Sequence, residues 1–110
     1  MTVKQLVDAL ELNVYAGESG LNKLITGGYV SDLLSDVMGN AKEGHCWITL
    51  QTHKNVIAIA SLKDLSAVVI VKGFIPESDS IEKGNEEGIP ILGTSDNTFE
   101  MSGKLYKLME

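Results

Sequence analysis

The sequence predicts an α/β fold, a single small domain over residues 1–110 with a mostly parallel central sheet flanked by helices. Three observations carry this prediction. The runs Cys46 to Leu50, Ala67 to Val71 and Ile89 to Leu92 have the near-continuous apolar character of strands buried on both faces. Segments with helical punctuation (caps, a proline, closing glycines) alternate with those runs. A chain of 110 residues with 44% hydrophobic content can bury one core and its covering helices, and has no length for a second domain.

Thr2 followed by Gln5 is a capping-box pattern, and Val3, Leu6, Val7 and Leu10 recur at helical spacing, so a helix should end near Leu10. Asn13 to Ala16 reads as a short strand closed by Gly17 and Gly20, and Leu24 to Thr26 as a second, followed by Gly27-Gly28. Ser31 or Asp32 can cap a helix with Leu33, Leu34, Val37 and Met38 on its apolar face, closing near Gly39-Asn40. Cys46 to Leu50 is a buried strand. Asn55 to Leu62 is too apolar for a surface helix and belongs against the sheet. Ala67 to Val71 is the clearest strand, β-branched and uncharged. Pro76 marks a helix start, Ile81 is that helix's main apolar residue, and Gly88 stops it. Ile89 to Leu92 is a further strand, and Thr98 to Leu108 a final amphipathic helix. At least three strands should run parallel, while strand order is left open by these local signals.

Charge narrows the function. The chain carries 9 basic and 15 acidic residues, a net of -6, and every basic residue is a lysine. Without arginine there is no planar fork for bidentate phosphate contacts and no arginine finger. Scattered lysines on a negative chain disfavour nucleic acid and anionic membranes as partners. No apolar run is long enough to span a bilayer and no leader pattern is visible, so the expected location is the cytoplasm. One cysteine excludes an internal disulfide framework.

Several motifs fall to simpler readings. Gly17-Glu-Ser-Gly20-Leu-Asn-Lys23 has the wrong spacing for a phosphate-binding loop, and Gly103-Lys104 lies inside the last helix and is followed by Leu105. Kinase chemistry therefore has no visible machinery. His45, Cys46 and His53 are the soft metal ligands, but Cys46 and His53 bracket a strand, so no metal and no cofactor is expected. Asp32 and Asp36 share one helix face, where the helix dipole alone favours carboxylates.

One constellation does better. Ligands of open parallel sheets bind beyond the carboxyl ends of the strands. The residues leaving each predicted strand are Thr26, Gly27 and Gly28, then Thr49, Gln51, His53 and Asn55, then Lys72 and Gly73, and last Thr94, Ser95, Asp96 and Thr98. Short polar side chains and glycines at one edge, with one lysine and one imidazole, suit a small anionic ligand held by backbone N–H groups and helix N-termini. The same residue types are also the ordinary caps of αβ turns.

The run Thr26-Gly27-Gly28-Tyr29-Val30-Ser31-Asp32-Leu33-Leu34-Ser35-Asp36-Val37 resembles a DRTGG domain. So do Trp47-Ile48-Thr49, His53-Lys54-Asn55-Val56-Ile57-Ala58, Lys72-Gly73, Gly88-Ile89-Pro90-Ile91-Leu92 and Thr98-Phe99-Glu100, so that the likeness spans essentially the whole chain. Thr26-Gly27-Gly28 matches the end of the naming motif, while Leu24-Ile25 stand where its charged residues would be. Such domains occur in some phosphate acetyltransferases and between the CBS modules of some regulated pyrophosphatases, and are similar to the N-terminal domain of HPr kinases. The resemblance implies an accessory module acting in regulation or subunit contacts, with no catalytic residues to carry over. The leading expectation is thus a non-catalytic, homodimeric regulatory module. A sensor of a nucleotide or phosphometabolite using His53 and Lys72 comes second, and an enzyme with His53 as base beside Asp32 or Asp96 third. A protein partner for the acidic segment Glu77 to Glu87 is weaker, because charged runs are usually solvated faces.

Overall fold

The Thr2 side chain accepts a hydrogen bond from the Gln5 N–H at 3.1 Å, and the Gln5 side chain accepts one from the Thr2 N–H at 2.8 Å. This capping box opens α1 (Val3–Leu10) in the computed structural model, which describes residues 1–110. The helix ends at Glu11, whose left-handed backbone lets the following Leu12 N–H also reach the Val7 carbonyl, at 3.1 Å. β1 (Asn13–Ala16) follows, and Gly17, at φ 76, turns the chain into a short 3-10 segment, Glu18–Gly20.

The next strand differs from the prediction. β2 is Gly27–Val30, and Leu24 makes only an isolated bridge to Thr2. The two glycines lie inside the strand because both of its faces are crowded. A Cβ on Gly27 would sit 3.2 Å from the His45 ring, and one on Gly28 would sit 2.9 Å from Leu105 Cδ2. Close approach, rather than a turn, selects glycine here.

α2 (Leu34–Asn40) starts at Leu33 with no side-chain cap, so neither expected cap residue serves it directly. Ser31 Oγ instead accepts from the Leu33 N–H, and Asp32 points to the neighbouring strand. β3 (His45–Thr49), β4 (Ala67–Ile70) and β5 (Ile91–Gly93) appear within two residues of their predicted bounds. α3 (Lys54–Leu62) is a helix laid on the sheet, burying Val56, Ile57, Ile59 and Ala60. α4 (Ser78–Glu87) starts just beyond Pro76 and stops at left-handed Gly88. α5 (Thr98–Met109) has a second capping box, between Asn97 and Glu100.

The five strands lie in the order β1-β5-β4-β3-β2. β2, β3, β4 and β5 are mutually parallel, and β1 closes one edge antiparallel to β5, with a bulge between Val14 and Ala16. Side chains alternate across this sheet. Trp47, Val68, Ile70 and Ile91 meet Val37 of α2, the apolar face of α3 and Ile81 of α4. Cys46, Ile48, Val69 and Leu92 meet Val3 and Leu6 of α1 and Met101 and Leu105 of α5. Each fully buried large apolar side chain contributes about 1.5–3 kcal/mol, so the two layers hold most of the driving force. Trp47 is completely buried, and its indole N–H donates to the Ser31 carbonyl at 2.8 Å. No helix is long and apolar enough to cross a membrane.

Candidate functional site

Because β2 to β5 run parallel, the segments leaving them gather at one edge of the sheet. The structure brings there Thr49, Gln51 and His53, with Asn55 in the first turn of α3. It also brings Lys72 and Gly73 after β4, and Thr94, Ser95 and Asp96 after β5, with Thr98 opening α5. Thr26, Gly27 and Gly28 are not among them. Gly27 pairs with His45 and Gly28 with Cys46, the first residues of β3, so they lie toward the opposite, amino edge. Placing the strand too early in the sequence put these residues at the wrong end of it.

Asp32 organises the half of the edge beyond β2 and β3. Its Oδ1 accepts from the Thr49 hydroxyl at 2.9 Å and from the Leu50 N–H at 2.7 Å. Its carbonyl accepts from Gln51 Nε2 at 2.8 Å, and Thr49 Oγ1 accepts from the Gln51 N–H at 3.1 Å. Gln51 Oε1 then lies 3.1 Å from His53 Nε2. His53 Nδ1 is buried without a partner, so the consistent tautomer carries its proton on Nε2 and donates it to Gln51. The space walled by Gln51, His53, Val56, Ile57, Pro76 and Ser80 has no room for a water molecule. The sequence offered Asp32 as a helix cap or as a partner for His53, not as the acceptor that ties this edge to β3. A carboxylate immediately after a parallel strand is the signal that would have found it.

The other half is equally self-contained. Lys72 takes a left-handed backbone, φ 60, and donates its N–H to the Asp96 carbonyl at 2.8 Å. The Gly73 N–H donates to the Thr94 carbonyl at 2.8 Å, and the Asp96 N–H to Thr94 Oγ1 at 3.1 Å. The Asp96 carboxylate pairs with Lys104 Nζ at 2.6 Å, and this hydrogen bond raises the Lys104 pKa. The Lys72, Gly73 and Asp96 amides are therefore bonded within the loops. His53 is held by Gln51, Asp32 by β3 and Asp96 by Lys104, so the expected pairing of His53 with either carboxylate is not formed.

Asp32 and Asp36 likewise do not act as a pair. Asp36 accepts from the Tyr29 hydroxyl at 2.9 Å and from Asn40 Nδ2 at 3.1 Å. Hydrogen bonds from Ser31 first, then from Tyr29, hold its carboxyl below the usual range, and its own bond and charge raise the Tyr29 pKa. The Tyr29 ring stacks on His45 with centroids 6.4 Å apart. Burial, and then the Lys42 charge, push the His45 imidazole down, and its Nδ1 accepts from the Lys42 N–H. Cys46 is fully buried, with its thiol pushed up to about 12. His45 and Cys46 open β3 while His53 follows its far end, and no three potential metal ligands converge.

A different feature lies on the face covered by α5. Gly28, Val30, Ile48, Leu105, Tyr106 and Met109 line an open apolar groove of about 280 Å³ between β2 and α5.

No protein-family model matches the sequence, and no curated protein does. Among solved structures the chain is similar to the CBS and DRTGG domains of the regulatory region of Clostridium perfringens pyrophosphatase, complexed with the activator diadenosine tetraphosphate. The TM-score is 0.70 at 16% identity, over 94% of this chain and 45% of that one. The chain thus spans about half the length of that neighbour, and at this identity the likeness speaks to fold, supporting a DRTGG-like α/β domain.

Proposed function

We propose that the chain is a non-catalytic regulatory module of the DRTGG type that works as a homodimer in the cytoplasm. One observation carries this reading. At the edge where an α/β enzyme places its reacting groups, Asp32, Thr49, Gln51 and His53 here bind one another, with no enclosed space beside His53. The regulatory setting of the structural neighbour is consistent with it. Sedimentation equilibrium at micromolar concentration is the test: the expected mass is twice the 11.9 kDa of the chain, and a monomer overturns the dimer.

A second reading is favoured by the neighbour's dinucleotide activator. Under it, a small anionic ligand, a nucleotide or phosphometabolite, binds at the strand carboxyl edge with Lys72 as its cation. A ligand at ~100 times its Kd adds ~2.7 kcal/mol of stability. Thermal shifts with ATP, diadenosine tetraphosphate and acetyl phosphate should then appear and be lost in Lys72→Ala. Unchanged melting with all three removes this reading.

A further inference from the structure

The sheet has two edges, and they are built differently. β1 is bulged between Val14 and Ala16, a device that blunts an edge against pairing. β2, at the other edge, is Gly-Gly-Tyr-Val, with no bulge, charge or proline, and no strand lies outside it. Gly28 and Val30 are exposed along it. A flat, uncharged, uncovered edge is a template for another strand.

α5 packs over β2 and β3 on one face of the sheet, with Met101 and Leu105 turned inward. Helical spacing puts Phe99, Ser102, Tyr106 and Met109 on the flank of α5 that overlooks the open edge. Ser102, Tyr106 and Met109 line the groove beside β2. Phe99 is 88% exposed and Tyr106 73% exposed, large aromatic areas left facing water. β2 carries no charged residue, and the two charged side chains beside Phe99 and Tyr106, Lys107 and Glu110, are of opposite sign, so the face is neutral although the chain carries a net charge of -6. Two copies of such an acidic chain repel over most of their surfaces and least where the contact face is neutral.

We infer that β2 and α5 together form a self-complementary seam for a second copy of this chain. β2 pairs antiparallel with β2 of the copy, and α5 lies antiparallel beside its counterpart across the same two-fold axis. Two spacings make the arrangement consistent. A helix centred between β2 and β3 lies about half a strand spacing inside the edge, so two such helices come to lie roughly 10 Å apart when the strands pair at about 4.8 Å. That is the ordinary distance for packed helices, about 8–10 Å. An axis near Ser102 puts that small side chain against its own copy and sets Phe99 of each helix against Tyr106 of the other. The antiparallel order also places the carbonyl end of one helix beside the amide end of its mate. The contact is isologous and closes as a dimer, leaving neither β2 edge open.

This inference rests on the homodimer proposed above and specifies its interface. The test combines sedimentation with cross-linking on the full chain. Ser102→Cys should give a covalent dimer with a short bis-maleimide, because the axis brings the two engineered thiols together, whereas Asp79→Cys on α4 should not; Cys46 is fully buried and contributes no background. Phe99→Asp and Tyr106→Glu should each weaken the dimer at least tenfold while the far-UV spectrum stays unchanged. A monomeric wild type overturns both the dimer and the seam. A wild-type dimer that survives both substitutions, with no cross-link from Ser102→Cys, overturns the seam alone.

Discussion

Glu11 holds a left-handed backbone, φ 53, where α1 ends, and its side chain is exposed. A residue with a Cβ in that region costs about 1–2 kcal/mol relative to its right-handed form, and glycine removes most of that strain. Glu11→Gly is therefore expected to raise stability by about 1 kcal/mol, read as an increased denaturation midpoint; a loss would show that the Glu11 side chain makes a contact that matters. His45 is the residue to watch as pH changes. Its folded pKa lies below the ordinary 6.5, first because of burial and then because of Lys42, so the neutral ring is favoured by folding. That contribution is complete above about pH 6.5 and fades as pH falls through the folded pKa. Melting temperature should drop between pH 7.5 and 5.5, and His45→Phe should flatten this part of the profile. Asp36 is depressed as well, from an ordinary 3.8, so its contribution fades only in stronger acid, below that value. The two groups are thus separable by the pH at which the curve bends.

At the scale of elements, the loops at the carboxyl edge depend on one side chain. Removing the Asp32 carboxylate leaves the buried Thr49 hydroxyl and the Leu50 N–H without their acceptor, which costs about 1–3 kcal/mol. Asp32→Ala should show that loss in chemical denaturation and Asp32→Asn, which keeps an acceptor, a smaller one. Equal losses would mean that the charge rather than the bond matters. β2 offers a second test. Gly28→Val forces a side chain against Leu105, with an expected loss of about 1–3 kcal/mol. Combining it with Leu105→Ala should cost less than the sum of the two single changes, because the second makes the space the first needs. The same strand shows what a sequence reading can and cannot recover. The Thr2–Gln5 capping box, the glycine stop of α4 and the apolar cores of β3 and β4 were legible, because each depends on neighbours a few residues apart. Gly27 and Gly28 read as a turn because the His45 ring and Leu105, which exclude side chains there, come from elsewhere in the chain. That misreading then carried Thr26, Gly27 and Gly28 to the wrong end of the candidate site. The bonds from Asp32 to β3 were hidden for the same reason, since they depend on strand order.

For the whole molecule, the decisive fact is that one sheet supplies a face to each of two apolar layers. Cys46 and Ile48 point one way and Trp47 the other, on adjacent positions of β3. Neither layer can open without exposing strands that the other layer needs. Unfolding should accordingly be a single transition, with Trp47 fluorescence and far-UV circular dichroism following the same urea curve at a given protein concentration. Two separated curves would show that one layer melts alone. The proposed pairing adds mass action, so under it the midpoint should also climb with protein concentration.

The burial of Cys46 and Met101, both at 0% exposure, has a consequence for how this molecule ages. Thiolate chemistry is closed to Cys46 while the sheet is intact, because the sulfur is out of reach and its proton is held to about pH 12. Peroxide must begin instead at an accessible thioether, and Met38, 39% exposed on α2, is open to it. A sulfoxide there roughens the surface and leaves both layers dry. The chain can therefore accumulate oxidative marks on its outside while its interior sulfurs stay as they were made, until the sheet itself comes apart.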